Sequence, residues 1–184
     1  MNQEKLDDAI KHLCSDPKLR PLIKKYGKPD FGISDDPFKS LIKYIISQQL
    51  SIQSAKAIYT RFLDLFNDKP MPSTVNNTNY TNLKGIGLSK QKIRYIKEIS
   101  KYFLNHNINF MSLTNKEVYN ELIQIKGIGP WTVNYAKLRG QSQPDILLDG
   151  DLGVKKAQAA VRSFEPKNCA PFRSYLTFQL WQQL

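Results

Sequence analysis

The apolar residues of this chain recur with a helical period almost from end to end, and that period leaves little room for any β architecture. Phe38, Leu41, Ile42, Ile45 and Ile46 follow the i, i+3, i+4, i+7, i+8 spacing of an amphipathic helix. Asp35 or Asp36 can cap it, with Pro37 in its first turn. Ile58, Phe62, Leu65 and Phe66 predict a second helix starting near Ser51, and Ile93, Ile96, Ile99 and Phe103 a third with Ser89 as its N-cap. Thr114 opens another, with Val118, Leu122 and Ile125 inward. The last two helices are expected from about Asp151 to Phe164 and from about Pro171 onward. The stretch NDKPMPSTVNNTNY between the second and third helices, rich in Pro, Asn and Thr, reads as a loop. No alternating strand pattern is present, so the expected class is all-α.

One segment departs from ordinary helix chemistry. In Leu122–Lys156, the turn Gly127-Ile128-Gly129 leads into a helix opening on Pro130 and Trp131, and Asp151 follows twenty positions after that Trp. Paired glycines let a backbone approach a partner closely, and the free amides of a helix start attract an anion. The shorter word Leu83-Lys84-Gly85-Ile86-Gly87 echoes it, which suggests two close backbone turns facing one groove. With 27 Lys and Arg against 16 Asp and Glu, the net charge is +11, and the basic residues are spread over the helices. A folded basic surface of this kind favours nucleic acid as partner. No helix carries the segregated basic and aromatic faces of a membrane-surface binder, and no apolar run reaches transmembrane length. The charged N-terminus does not resemble a signal peptide, so a cytoplasmic, nucleoid-associated protein is expected. Cys14 and Cys169 supply neither a disulfide framework nor a four-cysteine site. His12 and His106 lack metal spacing and receive no role.

The candidate chemistry is sparse. An aspartate before Leu-Gly-Val-Lys-Lys is most often a helix cap, but Asp151 follows the apolar approach of Pro144 to Leu148, which would place it at a helix mouth with limited solvent. Asp149 competes with it, and the residues alone do not decide between them. Trp131 and Tyr135 are four apart and share a face, either packed inward or offered to a splayed base. Gln48 and Gln49 fall at a helix junction: a solvated terminus, or a group that fills the hole left by an extruded base.

Five segments in order, PFKSLIKYIISQQLSIQSA, LKGIGLSKQKIRYIKEIS, IKGIGPWTVNYAKLRG, LLDGDLGVKK and APFRSYLTFQLWQ, resemble the helix-hairpin-helix DNA glycosylases, in the compact form of their 3-methyladenine DNA glycosylase II branch. The resemblance implies a two-lobed helical bundle with the active-site cleft between the lobes. It implies one glycosylase unit over 1–184, with a central lobe at 35–113 and a second lobe of 1–34 plus 114–184 that carries the hairpin at 122–140. Asp151, not Asp149, matches the catalytic aspartate. Trp131, Tyr135, Gln48 and Phe172 fall on base-pocket positions, and Gln49 on the wedge position. Lys126, Gly127, Ile128, Gly129 and Thr132 match the DNA-gripping turn. The carbonyls of Ile123, Ile125 and Ile128 match a site for Na+ or K+, with no other cofactor and no iron–sulfur cluster expected. Relatives that also cut the strand carry a Lys where Trp131 stands, to form a Schiff base. The resemblance therefore implies a monofunctional, monomeric glycosylase that removes alkylated purines such as 3-methyladenine and 7-methylguanine from double-stranded DNA. Cys169 stands where many relatives have Trp, Phe172 replaces a larger aromatic found in some members, and Gln49 is polar where some members use an aliphatic wedge. The alternatives are a glycosylase of this fold for uracil or an oxidised base, and a hairpin protein that binds DNA without catalysis.

Overall fold

The computed structural model describes residues 3–27, 36–106, 109, 112–140, 143–148, 150–161 and 164–182, and no strand occurs among them. The helices are α1 (Gln3–Ser15), α2 (Arg20–Tyr26), α3 (Pro37–Ser47), α4 (Ile52–Leu65), α5 (Pro72–Asn77), α6 (Tyr80–Gly85), α7 (Lys90–Asn105), α8 (Asn115–Leu122), α9 (Pro130–Gly140), α10 (Leu152–Ala160) and α11 (Arg173–Trp181), with a 3-10 turn at Pro166–Cys169. None of the described helices is long and apolar enough to cross a membrane.

Side-chain caps set most of the starts, as the sequence predicts. Asp36 accepts from the Lys39 amide at 3.1 Å, Ser51 from Ser54 at 3.2 Å and Ser89 from Lys92 at 3.3 Å. Asp35, the other candidate cap, lies outside the described residues. Thr114 and Glu117 form a reciprocal box: the Glu117 amide donates to the Thr114 hydroxyl at 3.3 Å, and the Thr114 amide to the Glu117 carboxylate at 2.8 Å. Two expectations fail at ends. The helix predicted to reach Phe164 stops at Ala160, and the stretch read as a loop holds α5 and the start of α6. Those short helices are held by tertiary contacts: the Lys97 ammonium of α7 donates to the carbonyls of Val75 at 3.0 Å, Asn76 at 2.5 Å and also Thr78, at the end of α5. A window of local propensity cannot register a lysine two helices away.

The chain divides into two compact units, one of Ser34–Ala136 and one of Met1–Ile33 with Lys137–Leu184. Residues 114–136 therefore group with the central helices and not with the chain ends, unlike the division implied by the resemblance. Their apolar side chains explain why: Val118, Leu122, Ile125, Ile128, Val133 and Ala136 belong to one core with Leu41, Ile45, Phe62, Leu83, Ile96 and Ile99. In the other unit α1 packs on α2, and α11 on α2, α10 and the 3-10 turn. Its fully buried residues include Leu13, Leu19, Ile23, Tyr175, Leu176 and Leu180.

Candidate active site

In the central unit, α8, the turn after it and the part of α9 up to Ala136 form the hairpin. The turn is closed by backbone bonds from the Ile125 amide to the Leu122 carbonyl, 3.1 Å, and from the Ile128 amide to the Ile125 carbonyl, 2.9 Å. Gly127 sits at φ +97, and a Cβ there would lie 2.2 Å from the Tyr95 ring of α7. Only glycine meets both conditions. Ile125 and Ile128 point inward, 3 % and 6 % exposed, so their side chains anchor the turn while Lys126 is exposed. Thr132 is 4 % exposed, so any DNA contact expected of it falls to its backbone. The Ile125 carbonyl keeps a second lone pair beyond its turn bond. With those of Ile123 and Ile128, it makes a set of neutral, hard oxygen donors whose chemistry fits an alkali cation.

The echo at 83–87 is a different turn. There Gly87, not Gly85, holds the positive φ, +101, and its Cβ position faces Ile58 and Arg61 of α4. Arg61 Nε donates to the Ile86 carbonyl at 2.9 Å, so this backbone is tied to α4.

Trp131 and Tyr135 stack as the spacing predicts, with ring centroids 5.6 Å apart and planes at 15°. Tyr44 of α3, which the sequence reading misses, stacks on Trp131 at 4.6 Å and meets Tyr135 at 4.8 Å. All three rings are half-buried, keeping surface for a partner. Tyr44 flanks the apolar stripe of α3 and carries no local sign of this grouping. At the end of α3, Gln48 is half-buried and Gln49 exposed, and Gln49 takes a left-handed φ of +57.

Asp151, Phe172 and Trp181 belong to the other unit. Asp151 is the N-cap of α10: Oδ1 accepts from the Val154 amide at 2.9 Å. The ordinary helix-cap role is thus realised, and more is added to it. The same Oδ1 accepts from Trp181 Nε1 of α11 at 3.1 Å. Both donors fall on one oxygen, and Oδ2 has no partner among the described residues. Trp181 is the second residue missed, because thirty positions separate it from Asp151 and nothing local links them. Asp149 lies outside the described residues.

The approach to Asp151 is laced onto α11. Ser174 donates its amide to the Pro144 carbonyl and accepts from the Ile146 amide, each at 2.9 Å, while Thr177 donates to the Ile146 carbonyl at 3.2 Å. Arg173 grips Asp145 with two bonds of 2.7 and 2.8 Å, which hold the Asp145 carboxyl below the ordinary aspartate value. Phe172, at the start of α11, meets the His12 ring at 5.4 Å and Tyr175 at 5.7 Å, so His12 serves as packing for it. Cys169 is buried, and burial pushes its thiol up to about 11. No group of three or more His, Cys, Asp or Glu able to hold a metal occurs among the described residues.

Comparison with known proteins gives a consistent result. Residues 42–178 match the model of the HhH-GPD superfamily base excision DNA repair protein. The chain is 28 % identical to DNA-3-methyladenine glycosylase 1 of Schizosaccharomyces pombe, over 96 % of this chain and 87 % of that protein. The solved structure of the S. pombe 3-methyladenine DNA glycosylase in complex with abasic DNA is similar at a TM-score of 0.86, with 27 % identity and 95 % of each chain covered. A DNA-3-methyladenine glycosidase of Bacillus halodurans is similar at a TM-score of 0.75 and 26 % identity, covering 95 % of this chain and 88 % of that one.

Proposed function

Because the chain belongs to the HhH-GPD superfamily of base excision DNA repair proteins, we propose that it is a DNA N-glycosylase that hydrolytically removes alkylated purines, 3-methyladenine and 7-methylguanine among them, from duplex DNA. The activities named for its relatives support this substrate class. The single observation that carries the reading is Asp151, whose Oδ1 is doubly engaged and whose Oδ2 has no partner among the described residues.

Alkylation gives the base a positive charge, which weakens its bond to the sugar. It also draws the base to the electron-rich faces of Trp131 and Tyr135, with Tyr44 beside them, at roughly 0.5–2 kcal/mol per cation–π contact. Gln48 adds a polar contact to the base, and Gln49 enters the duplex as the base rotates out. As the glycosidic bond breaks, its electron pair leaves with the base and positive charge builds on the sugar. The free oxygen of Asp151 stabilises that charge and orients the water whose oxygen forms the new bond to the sugar carbon. The water's proton passes to the carboxylate and then to solvent. A cationic base needs no separate general acid, and Trp131 offers no amine for a Schiff base, so strand cleavage is not expected. Lys126 and the amides around Gly127 and Gly129 hold backbone phosphate. Carbonyls of Ile123, Ile125 and Ile128 would hold Na+ or K+, which would supply positive charge when bound.

The test is release of free base from methylated duplex DNA by the parent and by Asp151→Asn. Both donors at Oδ1 require an acceptor, so the amide oxygen of Asn takes that place and its NH2 faces the reaction. The variant should bind DNA and release no base. Release at the parental rate by the variant would remove Asp151 from the chemistry. No release by the parent from methylated DNA, with uracil or oxidised bases released instead, would move the substrate.

A further inference from the structure

Lys92 of α7 reaches across to the end of α3, where its Nζ donates to the carbonyls of Ile46 at 2.6 Å and Gln48 at 2.9 Å. These are terminal carbonyls that no amide of the helix can satisfy, at the end where the helix dipole is negative. Directly beyond them Gln49 takes the left-handed φ of +57, rare for a residue with a side chain, and Leu50 is 38 % exposed. A strained, outward tip persists only where its surroundings impose it. We propose that Lys92 is a positioning residue: its ammonium holds the Gln48-Gln49-Leu50 tip in the conformation in which it meets duplex DNA.

The inference rests on the reading above that this tip faces DNA during base extrusion. A pre-set tip enters the duplex without first having to be ordered. Burial keeps the Lys92 ammonium below the ordinary lysine value, as befits a charge turned inward to carbonyls and away from solvent. Lys92 thus differs in kind from the exposed Lys126.

The test uses the full chain with Lys92→Met and Lys92→Arg. The amides of Gln48 and Leu50 are bonded to the carbonyls of Tyr44 and Ser47, so their hydrogen exchange reports the tip directly. Exchange there should rise in Lys92→Met and return towards the parent in Lys92→Arg, with the middle of α7 unaffected. The single-turnover rate of base release should fall by about ten-fold or more in Lys92→Met. Lys92→Arg should recover much of it, and the salt slope for undamaged duplex should stay the same. Parental exchange at the tip overturns the proposal. So does a salt slope lowered by about one, which would place Lys92 on a phosphate. Faster exchange with parental base release overturns the link to excision. If Lys92→Met does not fold, Lys92→Gln takes its place with the same readings. If the parent releases no base, the excision reading fails separately; the clamp is then judged by exchange and by a weaker affinity for abasic duplex in the variant.

Discussion

Trp181 donates to the same oxygen of Asp151 that the start of α10 already occupies. Its ring also meets Phe178 edge-on at 5.4 Å, so Trp181→Phe keeps much of the packing and removes the N–H. The expected result is a fall in kcat of about ten-fold with KM little changed, since a small misplacement of a reacting group costs rate more than binding. An unchanged kcat would leave Asp151 held by its helix alone. Gly127→Ala meets both an unfavourable φ and the Tyr95 ring, and should destabilise the protein by more than about 2 kcal/mol in urea unfolding. Adding Tyr95→Ala should recover only the steric part, because the φ remains; full recovery would show that φ contributes nothing. At this scale the sequence was legible where chemistry is local. Asp151 is legible as a helix cap, though the residues alone leave Asp149 beside it as a candidate for the chemistry, and Trp131 and Tyr135 are legible by their spacing. Tyr44 and Trp181 stayed hidden because each reaches its partner through tertiary packing.

The helices were legible wherever a capping side chain precedes an apolar period, as at Asp36, Ser51, Ser89 and Thr114. They were not legible at α5, whose terminal carbonyls depend on Lys97. Lys97→Met should therefore loosen α5 and lower stability by about 1–3 kcal/mol, the cost of leaving such groups unpaired. An unchanged urea midpoint would show that α5 stands without it. The echo at 83–87 misled for a related reason: the shared letters Lys-Gly-Ile-Gly place their left-handed glycine differently, with Arg61 packed on one turn and Tyr95 on the other. The segment before α10 carries a pH signature. Arg173 holds Asp145 below its ordinary value, so as acid is added the unfolded chain takes up the proton first. The stabilisation is complete near neutrality and disappears as pH falls through the acid range below about 4. The difference in Tm between the parent and Asp145→Asn should shrink over that range; a constant difference would mean the carboxylate charge is irrelevant.

For the molecule as a whole, a net charge of +11 makes salt-dependent binding to undamaged duplex the expected background on which lesion recognition acts. Lys126→Glu should weaken that binding across sequences and reduce the salt slope by about one or more. An unaltered slope would remove Lys126 from the phosphate contacts. The division of the chain has a further consequence, for the order in which the protein is made. The unit of Ser34–Ala136 is contiguous, whereas its neighbour is assembled from both flanking stretches, with α2 packed against α11. On a ribosome the contiguous unit can fold as it emerges, but the other waits until α11 has been translated. The turn after α8 is therefore finished before the segment that carries Asp151, and a nascent chain has the turn proposed to grip DNA before it has the carboxylate proposed to release the base.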